Sequence, residues 1–337
     1  MIHGTPHEAH WLRPEPRRSL PADVLKKIVE AAFPRHTAVD LQPLLEGYRN
    51  ANFRLRLDGA NEFMILRMYE HDPSLCRKEV DLLNLIKSRV PVPEVIYAEP
   101  DGMNEIPPFV FLRYVEGIAF RELKNQEDKD SISEGAYEAG KILASIGRTT
   151  FPESGWLGPG PRVTASLLEG AYPGPRFVDL CLACENALQR VKTNLRDQIS
   201  ALVWSHATQL ASLDEETNLV HGDFGKRNLL MRKVGGTWGV AAVLDWEFAI
   251  AGSPLFDVGH FLRYESSSRP RLEPHFSNGY IEAGGRLNGE WRRLARVLDL
   301  IALCDSLTHD ALPTSVVDEL IELVTATVEN RDPQCEF

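Results

Sequence analysis

Leu219-Val220-His221-Gly222-Asp223-Phe224-Gly225-Lys226-Arg227-Asn228-Leu229-Leu230, followed by Val243-Leu244-Asp245-Trp246-Glu247, is the stretch on which the reading of this chain turns. It has the form H-x-D-x-x-x-x-N, then a lone Asp closing an apolar run. Leu229 to Met231 and Trp238 to Leu244 are apolar and strand-like, and Val234-Gly235-Gly236-Thr237 supplies a turn between them. Antiparallel partners sum to a constant residue number, so folding back near Gly236 sets Asn228 roughly opposite Asp245. An amide oxygen and a carboxylate then converge on one point, as a hard, oxygen-seeking cation such as magnesium requires. Asp223, five residues before Asn228, is close enough to act on a hydroxyl beside that metal. The bland alternative is a hairpin with ordinary polar ends.

The rest of the chain narrows the class. Its 337 residues can bury a substantial core and suit two domains or lobes. A formal charge of −11 disfavours nonspecific nucleic-acid binding, which needs basic surface to displace counterions. No apolar run approaches the length of a membrane span. The first twenty residues carry His, Pro, Glu and Arg without the apolar core of a secretory signal. The expectation is a cytoplasmic protein with reduced thiols and neither a membrane nor a nucleic-acid partner. Cys181 and Cys184 form a C-x-x-C, a pattern that can hold metal or do redox chemistry. They share a helical stripe with Phe177, Leu188 and Val191, and no second pair completes a zinc set, which favours a structural role.

Periodicity divides the chain. Residues 1–20 read as a tail. Pro21 to Phe33 has a helical apolar face. Phe53, Leu55 and Leu57 alternate with polar residues as a half-buried strand, Asp58-Gly59 turns, and 62–69 returns as a second strand. A helix over 74–89 and strands over 95–98 and 109–114 complete a small sheet with one inserted helix. Beyond Gly117 the pattern is mostly helical apart from the Gly236 hairpin, with helices over 133–146, 177–194, 198–213, 291–304 and 315–328. Residues 151–164, rich in Gly and Pro, read as a surface loop, and Ser315 with Asp318 as a capping-box variant.

Four features of the first half bear on a nucleotide. Gly47-Tyr48-Arg49-Asn50-Ala51-Asn52 lies between apolar segments, as a loop over phosphates or a plain turn would. Arg67 interrupts the Phe63, Ile65, Tyr69 strand face, where a charge is costly without a partner, so a phosphate, a carboxylate or both should meet it. Glu79 on the following helix is either that carboxylate or a solvated surface residue. The run 109–117 suits an edge strand leading into a connector, with backbone groups available to an adenine edge.

These motifs, in this order over residues 40–260, resemble the aminoglycoside phosphotransferase and choline kinase-like family, small-molecule kinases that share the protein-kinase fold. The likeness is carried by His221-Gly222-Asp223…Asn228, by Leu244-Asp245-Trp246-Glu247 and by Gly252-Ser253-Pro254-Leu255-Phe256-Asp257, similar to the family's G-x-P-x-x-D. Arg77-Lys78-Glu79 through Val90-Pro91-Val92-Pro93 adds to it. The resemblance implies an α+β, protein-kinase-like two-lobe fold, with a small antiparallel-sheet N-lobe over 21–116 and a larger, mainly helical C-lobe over 117–337. It implies ATP and Mg2+ as cofactors and a small-molecule hydroxyl as acceptor. Asp223 would orient or deprotonate that hydroxyl, and Asn228 and Asp245 would hold magnesium. Arg67, steadied by Glu79, would contact the α/β-phosphates, with Gly47 and Asn52 in the covering loop and the backbone of Arg113 and Val115 on the adenine. His221 would brace the catalytic loop and Asp257 the segment after Asp245.

Two departures stand out: Arg67 where the family often has Lys, and Leu143-Ala144-Ser145-Ile146-Gly147 where family members often carry His after Leu-Ala. A protein kinase is disfavoured because Asp245-Trp246-Glu247 replaces D-F-G and no Ala-Pro-Glu follows. A catalytically silent nucleotide-binding protein remains the reading of another class. Ten acidic residues against four basic ones from Glu290 onward point to an amine-bearing acceptor, such as an aminoglycoside or amino alcohol. Asp305 and Asp310 are the candidate pocket members. A solvated acidic face is the competing explanation.

Overall fold

The computed structural model describes residues 19–44, 50–126, 128–167, 189–213, 215–265, 268–308 and 312–330. Helix α1 (Ala22–Ala32) turns Ile28 and Val29 inward. They meet one face of a five-stranded antiparallel sheet formed by β1 (Ala38–Pro43), β2 (Ala51–Leu57), β3 (Met64–Met68), β4 (Val95–Glu99) and β5 (Phe109–Arg113), ordered β1-β2-β3-β5-β4. Helix α2 (Ser74–Ile86) enters between β3 and β4. The period of two sorts the sheet's side chains. Phe109 and Phe111 of β5 join α1, Phe53, Leu55 and Leu66 in one cluster. Val110 and Leu112 join Cys76, Leu82 and Ile86 of α2 in another, which runs on into the second half of the chain. One core therefore bridges the two lobes. The β1 strand has no apolar run of its own; Val39 is exposed, and its pairing with β2 makes it a strand.

The second half holds α3 (Phe120–Gln126), α4 (Lys129–Ile146), α5 (Thr193–Ser205), α6 (Ala207–Leu213), α7 (Leu255–Leu262), α8 (Glu273–Glu282), α9 (Trp291–Ser306) and α10 (Thr314–Val328). Two small sheets sit among them. One, ordered β11-β10-β6, contains β6 (Ile118–Ala119), β10 (Leu229–Val234) and β11 (Thr237–Val243). The other, ordered β8-β7-β12-β9, contains β7 (Gly155–Gly158), β8 (Arg162–Ala165), β9 (Asn218–Val220) and β12 (Ile250–Gly252). The architecture is α+β: a small antiparallel sheet followed by a larger, mainly helical part.

Several expectations need correction. Residues 151–164 are not simply a loop: they supply β7 and most of β8, held by β12 pairing across Ile250↔Trp156. Their Gly and Pro content hid the alternation of Leu157 and Val163. The run 198–213 is two helices, broken at His206. Helix α4 starts four residues before 133, because Asp128 caps it by accepting from Ser131 N at 2.9 Å. Ser315 and Asp318 form no capping box; α10 begins after Pro313 without a side-chain cap. Helices α3, α7 and α8 are absent from the sequence reading. The tail over 1–18, Gly47, the 177–188 segment with Cys181 and Cys184, and Asp310 lie outside the described residues.

Candidate active site

The loop from His221 to Asn228 joins β9 to β10 and is closed by its own side chains. Asn228 Nδ2 donates to the backbone oxygen and to Oδ2 of Asp223, both at 2.9 Å. His221 lies beneath, fully buried. Its Nε2 meets the Leu244 carbonyl at 2.9 Å, and the Asp223 N–H donates to its Nδ1 at 3.2 Å. One ring nitrogen therefore donates and the other accepts, which fixes a neutral imidazole. Burial lowers the His221 pKa in the same direction. The Trp246 ring packs 4.6 Å from His221, so the apolar residue of Asp245-Trp246-Glu247 walls this histidine.

Hairpin register falls one residue short of the sequence arithmetic, with a bulge between Leu230 and Met231, so Asn228 faces Leu244 and Asp245 comes just after it. Leu229 pairs with Val243, and Leu244 N donates to Asn228 O at 2.8 Å. Asp245 comes next, in a left-handed conformation at φ 67°, which Asp tolerates better than most residues. At its turn end the hairpin is tied to α4 by Trp238 N, which donates to Glu134 Oε2 at 3.0 Å.

Arg67 approaches Asp245 from β3. Its Nη2 donates to Asp245 Oδ1 at 2.5 Å, its Nε lies 3.3 Å from Glu79 Oε2, and Glu247 Oε2 stands 3.8 Å from Nη2. Burial disfavours the guanidinium's charge, but Asp245 and Glu79 more than offset it and raise its pKa. Glu79 is 2% exposed, so the solvated alternative for it is excluded. Tyr69 Oη donates to Glu79 Oε2, and Trp246 N donates to its Oε1 at 3.3 Å. Two further buried groups close the cluster. Lys78 Nζ donates to the Glu247 carbonyl at 2.7 Å, and burial lowers its pKa to about 8. Asn50 Nδ2 donates to Glu247 Oε2 at 2.8 Å, tying the start of β2 to the residues after Asp245. Asn50 Oδ1 and Arg67 Nε are buried without a hydrogen-bond partner.

Helix α7 grips the loop from the other side. Asp257 is fully buried; its Oδ2 accepts from His221 N at 2.7 Å and its Oδ1 from Gly222 N at 2.9 Å. It thus braces the His221–Asn228 loop instead of the segment after Asp245. Burial pushes its pKa up to about 7 despite those two donors. One turn on, His260 Nε2 lies 3.0 Å from Asp223 Oδ1. Burial would raise the Asp223 pKa, but the contact with His260, helped by the Arg263 charge, outweighs it and holds the carboxylate below its ordinary value. Asp223 is therefore held as an anion.

The other expected residues are less central. Asn52 is not in a loop; it lies in β2 directly across from Arg67. The Arg113 N–H is already donated to Glu94 O at 2.8 Å, and its exposed guanidinium bridges Glu62 and Glu94, each at 2.7 Å. Val115 follows in the connector without regular structure. Asp305 is exposed on α9. Lys78, Asn50, Asp257's actual target, His260 and Arg263 are the residues that reasoning from sequence missed. Lys78 and His260 carried a faint signal, as polar residues on helices whose neighbouring turns are apolar.

No group of three or more His, Cys, Asp or Glu that could hold a metal occurs among the described residues. One carboxylate, Asp245, and one amide oxygen, on Asn228, would suit a cation that completes its shell with phosphate and water, as magnesium does. Nor is any helix among the described residues long and apolar enough to cross a membrane.

Residues 40–297 match the sequence profile described as the phosphotransferase enzyme family. Among curated proteins, the chain is 24% identical over 265 residues to mouse acyl-CoA dehydrogenase family member 10, covering 75% of this chain and 23% of that protein. It is 40% identical over 73 residues to human acyl-CoA dehydrogenase family member 11, covering 21% of this chain and 9% of that one. The chain thus spans about a quarter or less of these two relatives. Among solved structures, aminoglycoside phosphotransferase APH(4)-Ia matches with TM-score 0.69 at 16% identity, over 93% of this chain and all of that one. A thermostable mutant of it, in ternary complex with AMP-PNP and hygromycin B, matches with TM-score 0.65 at 18% identity, over 92% and 99%. The GDP and kanamycin complex of APH(2")-IIia matches with TM-score 0.65 at 18% identity, over 91% and 98%. These likenesses establish the protein-kinase-like two-lobed fold.

Proposed function

The chain belongs to the phosphotransferase enzyme family, and from that premise we propose that it is an ATP- and magnesium-dependent kinase acting on a hydroxyl of a small molecule. The observation that carries this reading is the convergence of three charged or polar elements: the closed Asp223–Asn228 loop, Asp245 beside it, and buried Arg67 donating to Asp245 at 2.5 Å. A polar, ion-paired cluster of this kind is costly to bury for stability alone. Asn50 Oδ1, buried without a hydrogen-bond partner, leaves polar capacity that a phosphate chain would use.

Asp245 and the oxygen of Asn228 would hold magnesium, which neutralises charge on the transferring phosphoryl group. Arg67, steered by Glu79 and Glu247, would meet the phosphates with a planar fork where a lysine would present a point charge. In the connector the Arg113 N–H is committed to Glu94, which leaves the adenine to the Arg113 carbonyl and the Val115 backbone. Asp223 accepts the proton of the acceptor hydroxyl as that oxygen bonds to the γ-phosphorus; the bond to the bridging oxygen breaks, and ADP leaves with its electrons. Asp223, Asn228 and Asp245 all stand at their motif positions, which favours an active enzyme over a silent nucleotide-binding protein.

The structural neighbours include complexes with hygromycin B and with kanamycin, and the acidic C-terminal end of this chain makes an amine-bearing alcohol the favoured acceptor. The test is ADP release from purified protein with MgATP and a panel of aminoglycosides, amino alcohols, neutral sugars and a generic protein substrate. Release dependent on one small alcohol supports the reading. Phosphorylation of protein alone, or binding of ATP without turnover on any acceptor, would replace it.

A further inference from the structure

Building on the role of Asp223 given above, we propose that His260 is a positioning residue that orients the Asp223 carboxylate, in a ring tautomer imposed by Arg263. Asp257, His260 and Arg263 follow one another at three-residue steps along α7 and its C-cap, so they share one face. Asp257 holds the loop backbone, and His260 reaches the loop's reactive side chain. Nδ1 of His260 lies 3.3 Å from Arg263 Nη2. A guanidinium has donors and no acceptor, so Nδ1 must accept, and the ring proton is left on Nε2. That proton points at Asp223 Oδ1, 3.0 Å away.

Arg263 is itself held. Asp299 on α9 takes its Nε at 2.8 Å and its Nη2 at 2.6 Å, a forked pair with both side chains at most 10% exposed. The series Asp299–Arg263–His260–Asp223 therefore transmits the fixed position of α9 to the loop. Asn228 Nδ2 holds the other carboxylate oxygen, Oδ2. With one donor on each oxygen, the carboxylate plane cannot rotate, and its remaining lone pairs face a single direction. Gly225 leaves room for this approach: a Cβ there would stand 3.1 Å from His260 Nε2 and press the ring back by a few tenths of an ångström. Packing alone does not call for a polar ring here, since an apolar side chain would fill the same space without the donor.

The test uses the full chain with His260→Leu, His260→Gln, Arg263→Met and Asp223→Asn. Turnover is read as ADP release from MgATP with water as acceptor, and with whichever alcohol the panel returns. His260→Leu should lower kcat roughly ten- to a hundredfold while the KM for ATP stays within about threefold, the signature of a contact that matters at the reacting group. His260→Gln, whose amide nitrogen reaches as far as Nε2, should recover most of the loss. Equal losses in both variants would indicate packing and overturn the proposal, as would full activity in His260→Leu beside an inactive Asp223→Asn. Full activity in Asp223→Asn would instead remove Asp223 as the base. Independently of turnover, long-range 1H–15N spectra of histidine-labelled protein should show His260 as the Nε2–H tautomer, lost to a mixture in Arg263→Met. An Nδ1–H ring in the unmodified chain would overturn the inference.

Discussion

Asp223 presents an anion held by one histidine and one asparagine amide, at 3.0 and 2.9 Å. Replacing it with Asn keeps the volume and removes the proton acceptor. Asp223→Asn should therefore bind ATP within a few-fold of the unmodified chain while turnover falls on the order of 10²-fold or more; isothermal titration and ADP release measure the two separately. His221 makes a prediction about pH. The native state holds it neutral, whereas the unfolded chain takes up a proton below about pH 6.5. Unfolding thus binds more protons in acid, and stability drains away as pH falls through that value, by up to about 1.4 kcal/mol per pH unit from this group. Melting curves from pH 7.5 to 5 should show a steeper acid loss for the unmodified chain than for His221→Gln; parallel curves would mean the ring is not held neutral. At this scale the sequence exposed Asp223, Asn228, Asp245 and Arg67, whose types are odd for their local pattern. It could not expose His260, because its significance comes from a contact between residues 37 apart in the chain.

At the scale of elements, the β10–β11 hairpin brings Asn228 beside the Asp245 junction, and the reading of it rests on local geometry. Asp245→Ala should abolish magnesium-dependent phosphoryl transfer, since neutral Asn228 is a poor lone ligand for a dication. It also leaves Arg67 with one partner fewer in a buried setting, so some loss of thermal stability should accompany it. If the variant binds magnesium and ATP as tightly as before, the converging hairpin is not the metal site. The crossing of α4 with α8 is a second element-level device. A Cβ at Gly279 would stand 2.0 Å from Tyr137 O, and one at Gly140 2.0 Å from Phe276 O, so the helices touch backbone to backbone. Gly279→Ala should cost about 1–3 kcal/mol through overpacking, visible as a lower urea midpoint. Neither glycine looks unusual in the sequence, where each lies in a helical run with no mark of what crosses it. The hairpin is legible because its partners are a turn apart; β1, β7 and β12 are not, because their partners are distant or their apolar alternation is short.

Over the whole molecule, 48 acidic residues against 37 basic ones give a formal charge of −11. The excess at the C-terminal end is partly internal: Asp299 is spent on Arg263. Asp305 on α9 and Asp318 and Glu322 on α10 remain exposed. These carboxylates would draw a cationic acceptor through a field that salt screens over about 10 Å at 0.1 M. Amine-bearing alcohols should therefore show a lower KM than neutral sugars, and that KM should rise with added salt while the kcat changes little. A preference for neutral sugars with no salt dependence would reject the acidic-end argument.

Sequence alone was enough for the fold class and for the chemical identity of the central loop. The fold class came through the family resemblance carried by the motifs, and the loop through short-range regularities: a strand period of two, a glycine turn, and the fixed spacing from Asp223 to Asn228. The tertiary structure decided which charges meet. Arg67 finds Glu79, Asp245 and Glu247, Asp257 turns to the loop backbone, and α9 reaches Asp223 through Arg263 and His260. Such pairings are set by how helices and sheets stack, and a one-dimensional pattern records each partner's type without recording the distance between them.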